Sequence, residues 1–389
     1  MKACMIAYTF YENDNRVMRY AETLVKRGDE VDVIALRCDE TANYECLNGV
    51  NVYKIQCRFI DEKGQFSYLY KLLLFFVRSA YFITKKHYKS PYDMIHVHSV
   101  PDFEVFATLI PKLKGAKIIL DIHDIVPEFY MSKFKASKNS FFYRLLLLLE
   151  RLSAGFADHV IIANHLWWET LVSRSLRKEK CTTILNYPDQ SIFYRRPRTE
   201  HNSKFVIMYP GTVNWHQGLD IAVKAFALIK DEISNAEFHI YGGGQNFKPL
   251  LDLIEKHGLQ ERVLLKGVLP ITEIANVMSS ADLGIVPKRN DPFGGEAFST
   301  KILEFMALGV PMVISKTKID DYYFNDSVVK FFEPGDEHDL ASSILLMANN
   351  KEIRKNYENN ATVFMKDFNW ENKKDEYVCL VDNLISDNK

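Results

Sequence analysis

No two cysteines of this sequence stand at C-x-x-C spacing; the six (Cys4, Cys38, Cys46, Cys57, Cys181, Cys379) are scattered. That argues against a zinc site or a disulfide frame and fits a reducing cytosol. No apolar run reaches the roughly 18 uncharged residues of a transmembrane helix. The opening MKACMIAYTFYENDNR turns acidic too early for a signal peptide and reads as a first strand. Net charge is nearly absent, with 49 basic residues against 50 acidic ones, so nucleic acid is not an expected partner. Repeats and low-complexity segments are missing too.

The balance hides an asymmetry. Residues 1–200 carry 29 Lys/Arg and 23 Asp/Glu, a net of +6, which leaves −7 for the remainder of a chain whose total is −1. Two stretches hold no acid at all. Gly64–Tyr92 has Lys71, Arg78, Lys85, Lys86 and Lys89 among aromatics and leucines. Phe129–Leu149 has Lys133, Lys135, Lys138 and Arg144 beside Phe141, Phe142 and a leucine run. Basic amphipathic helices with aromatics lie in anionic membrane interfaces. Core helices with solvated lysines have the same composition, and both readings stay open.

At 389 residues the chain exceeds one ordinary core, so two domains are expected. Strand and helix signals alternate throughout. Lys2–Tyr8, Glu30–Leu36, Asn51–Gln56, Tyr92–His98, Ala116–Ile122 and His159–Ala163 read as strands. Arg16–Arg27, Pro101–Leu113 and Phe141–Phe156 read as helices. The periodicity breaks at Asn186–Arg198, and a second series runs from Phe205 to two closing helices, Glu337–Asn349 and Trp370–Ser386. This is an α/β chain with parallel sheets, in which ligands collect beyond the carboxyl ends of the strands. His98, His123 and Asp124 stand at such ends.

The most informative stretch is Asp291–Pro311, DPFGGEAFSTKILEFMALGVP. Gly294 and Gly295 allow a tight turn, Ser299 is an N-cap type, and Thr300–Leu308 is helical, stopped by Gly309 and Pro311. An anion there would meet free N–H groups, the helix dipole and Lys301. Glu296 and Glu304 would accept from hydroxyls. Phosphate flanked by hydroxyl-rich groups describes a nucleotide sugar.

Several segments in order carry a family resemblance: NDNRVMRYAETLVKRGDEVDVIAL, IHVHSVPDF, DIHDIVPEFY, ILNYPD, YPGTVNWHQGLDIAVKAF, IYGGGQ and GIVPKRNDPFGGEAFSTKILEFMALGVP. Together they resemble retaining glycosyltransferase family 4, in its bacterial capsule and exopolysaccharide branch. The resemblance implies a GT-B architecture of two Rossmann-like, doubly wound domains with a deep cleft. Residues 1–190 would bind the acceptor, completed by a C-terminal helix (368–389) crossing back. A linker would occupy 191–203, and residues 204–367 would bind the donor.

The resemblance further implies a nucleotide-sugar donor, no metal and no other cofactor. His123, Glu296 and Lys301 would be catalytic. Gly211, Thr212, Gly242, Gly243, Gly244, Lys288, Gly295, Phe298, Ser299, Thr300 and Glu304 would bind the donor. His98 and Asp124 would lie on the acceptor side. The acceptor would be lipid-linked, and the protein cytoplasmic and peripheral at the inner face of the plasma membrane. Where relatives carry an arginine and a lysine, this chain has Thr212 and Gln217, so more neutralisation would fall to Lys288 and Lys301. A nucleotide-sugar epimerase of the same fold and a non-catalytic sugar-nucleotide-binding partner are the alternatives.

Overall fold

The computed structural model describes residues 1–38, 42–58, 65–134, 137–197 and 204–386. Residues 198–203 of the expected linker, Gly64, Lys135 and the side chain of Lys133 lie outside the described residues. Two compact units result: Met1–Asn186 with Lys373–Lys389, and Tyr187–Asn372.

In the first unit the strands are β1 (Lys2–Ala7), β2 (Glu30–Arg37), β3 (Tyr44–Leu47), β4 (Val50–Cys57), β5 (Met94–His98), β6 (Lys117–Ile122), β7 (His159–Ile162) and β8 (Cys181–Thr183). They form one sheet in the order β3-β4-β2-β1-β5-β6-β7-β8. All neighbours are parallel except the β3–β4 hairpin. Its helices are α1 (Asn15–Arg27), α2 (Gln65–Lys89), α3 (Leu109–Leu113), α4 (Val126–Phe134), α5 (Phe141–Phe156) and α6 (His165–Arg174). Helix α1 is capped by Asp14, which accepts from Val17 N, and is closed by Gly28 at φ 100°. Its buried face includes two arginines, Arg16 and Arg19. Strand β5, MIHVH, is buried along its whole length although it carries two histidines.

The second unit has a six-stranded parallel sheet, ordered β11-β10-β9-β12-β13-β14. Its strands are β9 (Phe205–Pro210), β10 (Ala236–Tyr241), β11 (Val263–Gly267), β12 (Leu283–Val286), β13 (Met312–Ser315) and β14 (Lys330–Phe332). The helices are α7 (Leu219–Ile229), α8 (Phe247–Lys256), α9 (Ile271–Ser280), α10 (Thr300–Leu308), α11 (Lys318–Tyr323), α12 (Glu337–Asn349) and α13 (Lys351–Phe364). Sequence order reverses on either side of β9, so its carboxyl end is the switch point of this sheet. Helix α14 (Trp370–Ser386) starts in the second unit and belongs to the first from Lys373.

The expected α/β alternation is present, with instructive differences. Pro101–Leu113 is a 3-10 segment (Asp102–Thr108) followed by the short α3. Pro111 lacks an N–H and is tolerated only in the first turn, so the α-helix begins just before it. The β3–β4 hairpin carries no apolar alternation, because β3 is exposed along most of its length. Its signal is Asn48-Gly49, both at positive φ (50° and 82°), the two-residue turn that matches strand twist. Helix α13, KEIRKNYENNATVF, is too polar for its period to be read, and it buries only Glu358 and Ala361.

Gly218, before α7, has φ 67°, and a Cβ there would sit 1.9 Å from the Pro287 carbonyl oxygen. The loop after β9 is thereby pressed on the loop after β12. Gly218→Ala should destabilise the second unit by about 2 kcal/mol or more. Thermal unfolding checks this; an unchanged midpoint would show that the loops can part without cost.

Candidate active site

In the second unit the chemistry gathers above β9. The loop after β12 runs from Lys288 to Ser299 and feeds α10. Asp291 Oδ1 accepts from Phe293 N (3.0 Å) and Gly294 N (3.1 Å). Gly295 N donates to Asp291 O (2.8 Å). A Cβ on Gly295 would be 2.4 Å from Asn290 Oδ1, so this turn is too tight for a side chain. Phe298 anchors the end of the loop against Tyr323, ring centroids 5.0 Å apart.

The turn delivers an open helix terminus. Ser299 is the N-cap residue of α10, with extended backbone, but its side chain makes no capping bond. Its Oγ is buried and has no hydrogen-bond partner. The first N–H groups of a helix lack intrahelical acceptors and carry the positive end of the dipole. Beside them lies Lys301, half-buried. A Cβ on Gly211, itself at φ 132°, would meet Lys301 Cε at 2.4 Å, so the lysine stem lies across that glycine. Its ammonium sits 5.5 Å from the Tyr209 ring centroid. Burial, reinforced by nearby Lys288, pushes the Lys301 pKa down to about 8 against the pull of Glu304 and Asp320. Glu304 is shifted upward by burial, opposed by Lys301 and by a hydrogen bond from Thr300. An arriving diphosphate would relieve the Lys301 shift.

The other cations of this rim are engaged. Lys288 is 3% exposed; it donates to Ala297 O (2.8 Å) and pairs with the wholly buried Asp320 at 2.9 Å. Arg289 is held bidentately by Asp220 (2.9 and 2.8 Å), with its guanidinium 4.7 Å over the Trp215 ring. Glu296 pairs with the exposed Lys318 at 2.7 Å, a surface contact worth at most about 1 kcal/mol and easily opened. Gln217 is tied to the Tyr209 hydroxyl (3.0 Å), which also reaches Thr212 O (2.9 Å). Burial, with Lys301 and Lys288 adding to it and Asp291 opposing, lowers the His216 pKa and keeps the ring neutral.

Gly242–Gly244 continue the pairing of β9 and β10 past the strand ends, with Val213 N donating to Gly243 O (2.9 Å). A Cβ on Gly242 would be 1.8 Å from Gly211 O, and one on Gly244 2.5 Å from Val213 O. These two glycines are required by backbone packed against backbone.

In the first unit, strand register brings His98 level with Asp121. Asp121 is fully buried and takes both Arg16 Nε (2.7 Å) and Arg16 Nη2 (2.7 Å). Burial alone would raise its pKa; the Arg16 charge and the histidine bonds outweigh burial and hold it well below the usual range. His123 Nε2 lies 3.2 Å from Asp121 Oδ2, and His98 Nδ1 lies 3.3 Å from the same oxygen. His123 is partly exposed, with its side chain 23% accessible. Its carboxylate partner is therefore Asp121; Asp124 is raised by its own burial, opposed by His123. Glu128 is bound by Arg174. Neither Arg16 nor Asp121 was expected to matter. The available signal was a charged residue inside the apolar strand KIILDI and an arginine on the buried face of α1.

His96, His98 and Asp121 present ligand atoms within 4.8 Å of one another, a spacing that a metal ion could use. Both Asp121 oxygens already accept from Arg16, so a cation there would sit against a guanidinium. The donor set does not fit a metal while that pair is closed.

Residues 14–189 match the family model for Glycosyltransferase Family 4, and residues 191–364 the model for Glycosyl transferases group 1. An uncharacterized glycosyltransferase of Methanocaldococcus jannaschii is 27% identical over 76% of this chain and 74% of its own. A putative colanic acid biosynthesis glycosyltransferase of Escherichia coli, WcaL, is 25% identical over 40% of this chain and 39% of its own. Among solved structures, sucrose-phosphate synthase from Thermosynechococcus elongatus superposes with a TM-score of 0.80 at 16% identity, covering 99% of both chains. HepE of Anabaena, solved with UDP and glucose, gives a TM-score of 0.72 at 17% identity over 97% of this chain and 99% of that one.

The Lys301 environment makes a calorimetric prediction. With a pKa near 8 in the free protein, Lys301 should take up about three quarters of a proton when UDP binds at pH 8.5 and close to none at pH 6.5, where the nucleotide phosphate titrates instead. Titrations in buffers of different ionisation enthalpy measure this. Lys301→Met should abolish the uptake; the same uptake in that variant would place the titrating group elsewhere.

Proposed function

The chain is a glycosyltransferase of the GT-B type, and on that premise we propose that it transfers a sugar from a nucleoside-diphosphate sugar to a lipid-linked acceptor. The transfer retains anomeric configuration, needs no metal and serves surface polysaccharide assembly. The observation that carries the donor half is the open N-terminus of α10. It has an unbonded Ser299 hydroxyl, the half-buried Lys301 and a glutamate one turn on, above the switch point of a parallel sheet.

In this reading the bond from the anomeric carbon to the diphosphate breaks, and charge builds on the leaving oxygen. Lys301 and the α10 N–H groups stabilise that charge. The acceptor oxygen forms the new bond on the same face, and its proton passes to the leaving phosphate. Glu304 accepts from ribose hydroxyls, and Glu296, once Lys318 swings away, from hydroxyls of the transferred sugar. His123, whose Nε2 faces Asp121, offers Nδ1 to a sugar hydroxyl. Lys288 acts by holding the loop to Asp320 and by its charge near Lys301. Retention and the polysaccharide setting rest on the family resemblance and on relatives such as WcaL.

The acceptor half is supported by a surface of the first unit. Its two acid-free stretches form α2, α4 and α5, and both α2 and α5 pack on the 3-10 segment. The outward side chains of α2, α3 and α5 include Tyr81 (68% exposed), Leu113 (75%) and Phe141 (73%). Tyr70, Leu73, Val77, Tyr81 and Tyr88 make a stripe along α2, and Phe141, Leu145, Leu148 and Leu152 one along α5. Arg78, Lys85, Arg144 and Arg151 lie among them, also exposed. No helix of the described residues is long and apolar enough to cross a membrane. A peripheral seat at an anionic leaflet suits such a face, and we place it at the inner face of the plasma membrane.

The test is incubation with candidate nucleotide sugars and membrane lipid extract. Labelled sugar should move to a lipid fraction, and Lys301→Ala should lower turnover by about 100-fold or more. Wild-type-like turnover in that variant would refute its assignment. Interconversion of the donor alone would instead identify an epimerase. The neutral pair Thr212 and Gln217 is what favours a non-catalytic partner, and absence of turnover with every donor would support it. Separately, the protein should float with phosphatidylglycerol vesicles at low salt and be released at high salt; failure to bind them would remove the membrane part.

A further inference from the structure

The polar cluster of the first unit extends well beyond any group that could meet a substrate. His96 and His98 are two apart on β5, so both point to one side of the sheet. Their rings stack with centroids 4.2 Å apart and planes 25° apart. His96 Nδ1 lies 3.0 Å from the hydroxyl of Tyr377, on α14. The Tyr377 ring in turn packs 4.4 Å from Tyr20 of α1, whose ring lies 5.1 Å from His96. Tyr20, His96, Asp121 and Tyr377 are wholly buried and His98 nearly so. As mere filling this is a poor choice. Nε2 of His96 and Nε2 of His98 are buried with no hydrogen-bond partner, a cost that aromatic or aliphatic side chains would not incur.

We propose that Tyr377 and His96 are positioning residues for His123, acting through His98 and Asp121. His123 Nε2 lies between two groups, Asp121 Oδ2 at 3.2 Å and His98 Nδ1 at 3.3 Å. When His98 keeps its own Nδ1–H on Asp121, the only acceptor left for His123 Nε2–H is the same carboxylate. His123 is then fixed in the tautomer whose Nδ1 lone pair faces outward. When the His98 ring turns, its Nδ1–H can point at His123 Nε2 instead of Asp121, and His123 then takes the other tautomer. Turning it requires His96, stacked against it, to move; the Tyr377 hydroxyl holds His96 by its Nδ1. Arg16 fixes the far end by gripping both oxygens of Asp121. The chain of contacts therefore runs from α14, the last element of the sequence, to a histidine at the end of β6. The inference rests on the reading of His123 as a group that touches substrate.

The experiment uses the full chain with Tyr377→Phe, which keeps the ring and removes one oxygen. Turnover should fall about tenfold with the donor KM within about twofold, since only the orientation of a reacting group is lost. The imidazole 15N shifts of His123 should change from one tautomer, Nε2–H, to a mixture. A role in packing alone would lower the melting temperature and leave both readouts alone. His96→Phe, which keeps the ring stack and loses the bond to Tyr377, should mix the tautomers in the same way, which gives a second route should Tyr377→Phe fold poorly. Unchanged turnover and an unchanged single tautomer in Tyr377→Phe, with His123→Ala inactive, would overturn the proposal. Should His123→Ala stay active, the functional reading of His123 falls instead. The tautomer comparison then decides on the relay by itself: mixing supports it, and no change overturns it.

Discussion

In a parallel sheet every strand ends on the same edge, and everything chemical in this chain follows from that constraint. Strands covered on both faces must be apolar, so side chains able to bind or react are displaced to the loops beyond their carboxyl ends. Each unit obeys this separately. In the second unit the loops after β9, β10 and β12 meet above the switch point, and glycines let their backbones touch. In the first unit His98 ends β5 and His123 follows β6 directly. Asp121, like Asp32 of β2, is an exception, a buried carboxylate inside a strand, and its cost explains the arginine and the histidines gathered around it. Removing one member of such a buried pair costs roughly 3–5 kcal/mol.

The second unit distributes its positive charge unequally. Lys288, Arg289 and Lys318 each have a carboxylate within 3 Å. Lys301 instead has an aromatic face, a glycine and a glutamate with an upward-shifted pKa. A charge left so poorly compensated is costly in the empty protein and becomes favourable when an anion arrives. The uncapped start of α10 follows the same logic. In the proposed reading, desolvation held in the empty state is recovered when the donor diphosphate binds, which is how binding free energy becomes selectivity.

Much of this was legible in the sequence. The α/β alternation, the two-unit organisation and the stretch around Lys301 could be read because each leaves a local trace: period, punctuation, or a loop-to-helix transition. What could not be read were partners. Lys288 and Lys301 look alike in the sequence, and only the fold reveals that Asp320, 32 residues on, occupies the first. Arg16 meets Asp121 across 105 residues, and Arg289 meets Asp220 across 69. Periodicity carries no information at that range. The glycines of IYGGGQ were legible as glycines but not as to cause. Two of them are required by carbonyl oxygens of the neighbouring loop, which lie where a side chain would begin.

Helix α14 has a consequence for the order in which this molecule can be made. The second unit is contiguous, Tyr187–Asn372, and is complete before the chain ends. The first unit is not: the side of its sheet where His96 of β5 meets Tyr20 of α1 is closed by residues that emerge after the entire second unit. While a ribosome translates roughly 190 residues at about 5–20 per second, that face waits some ten seconds or more without Tyr377 and without the ion pair from Arg27 to Asp382. The N-terminal half of the sequence is therefore finished after the second unit, and its buried histidines take their final surroundings only when α14 arrives.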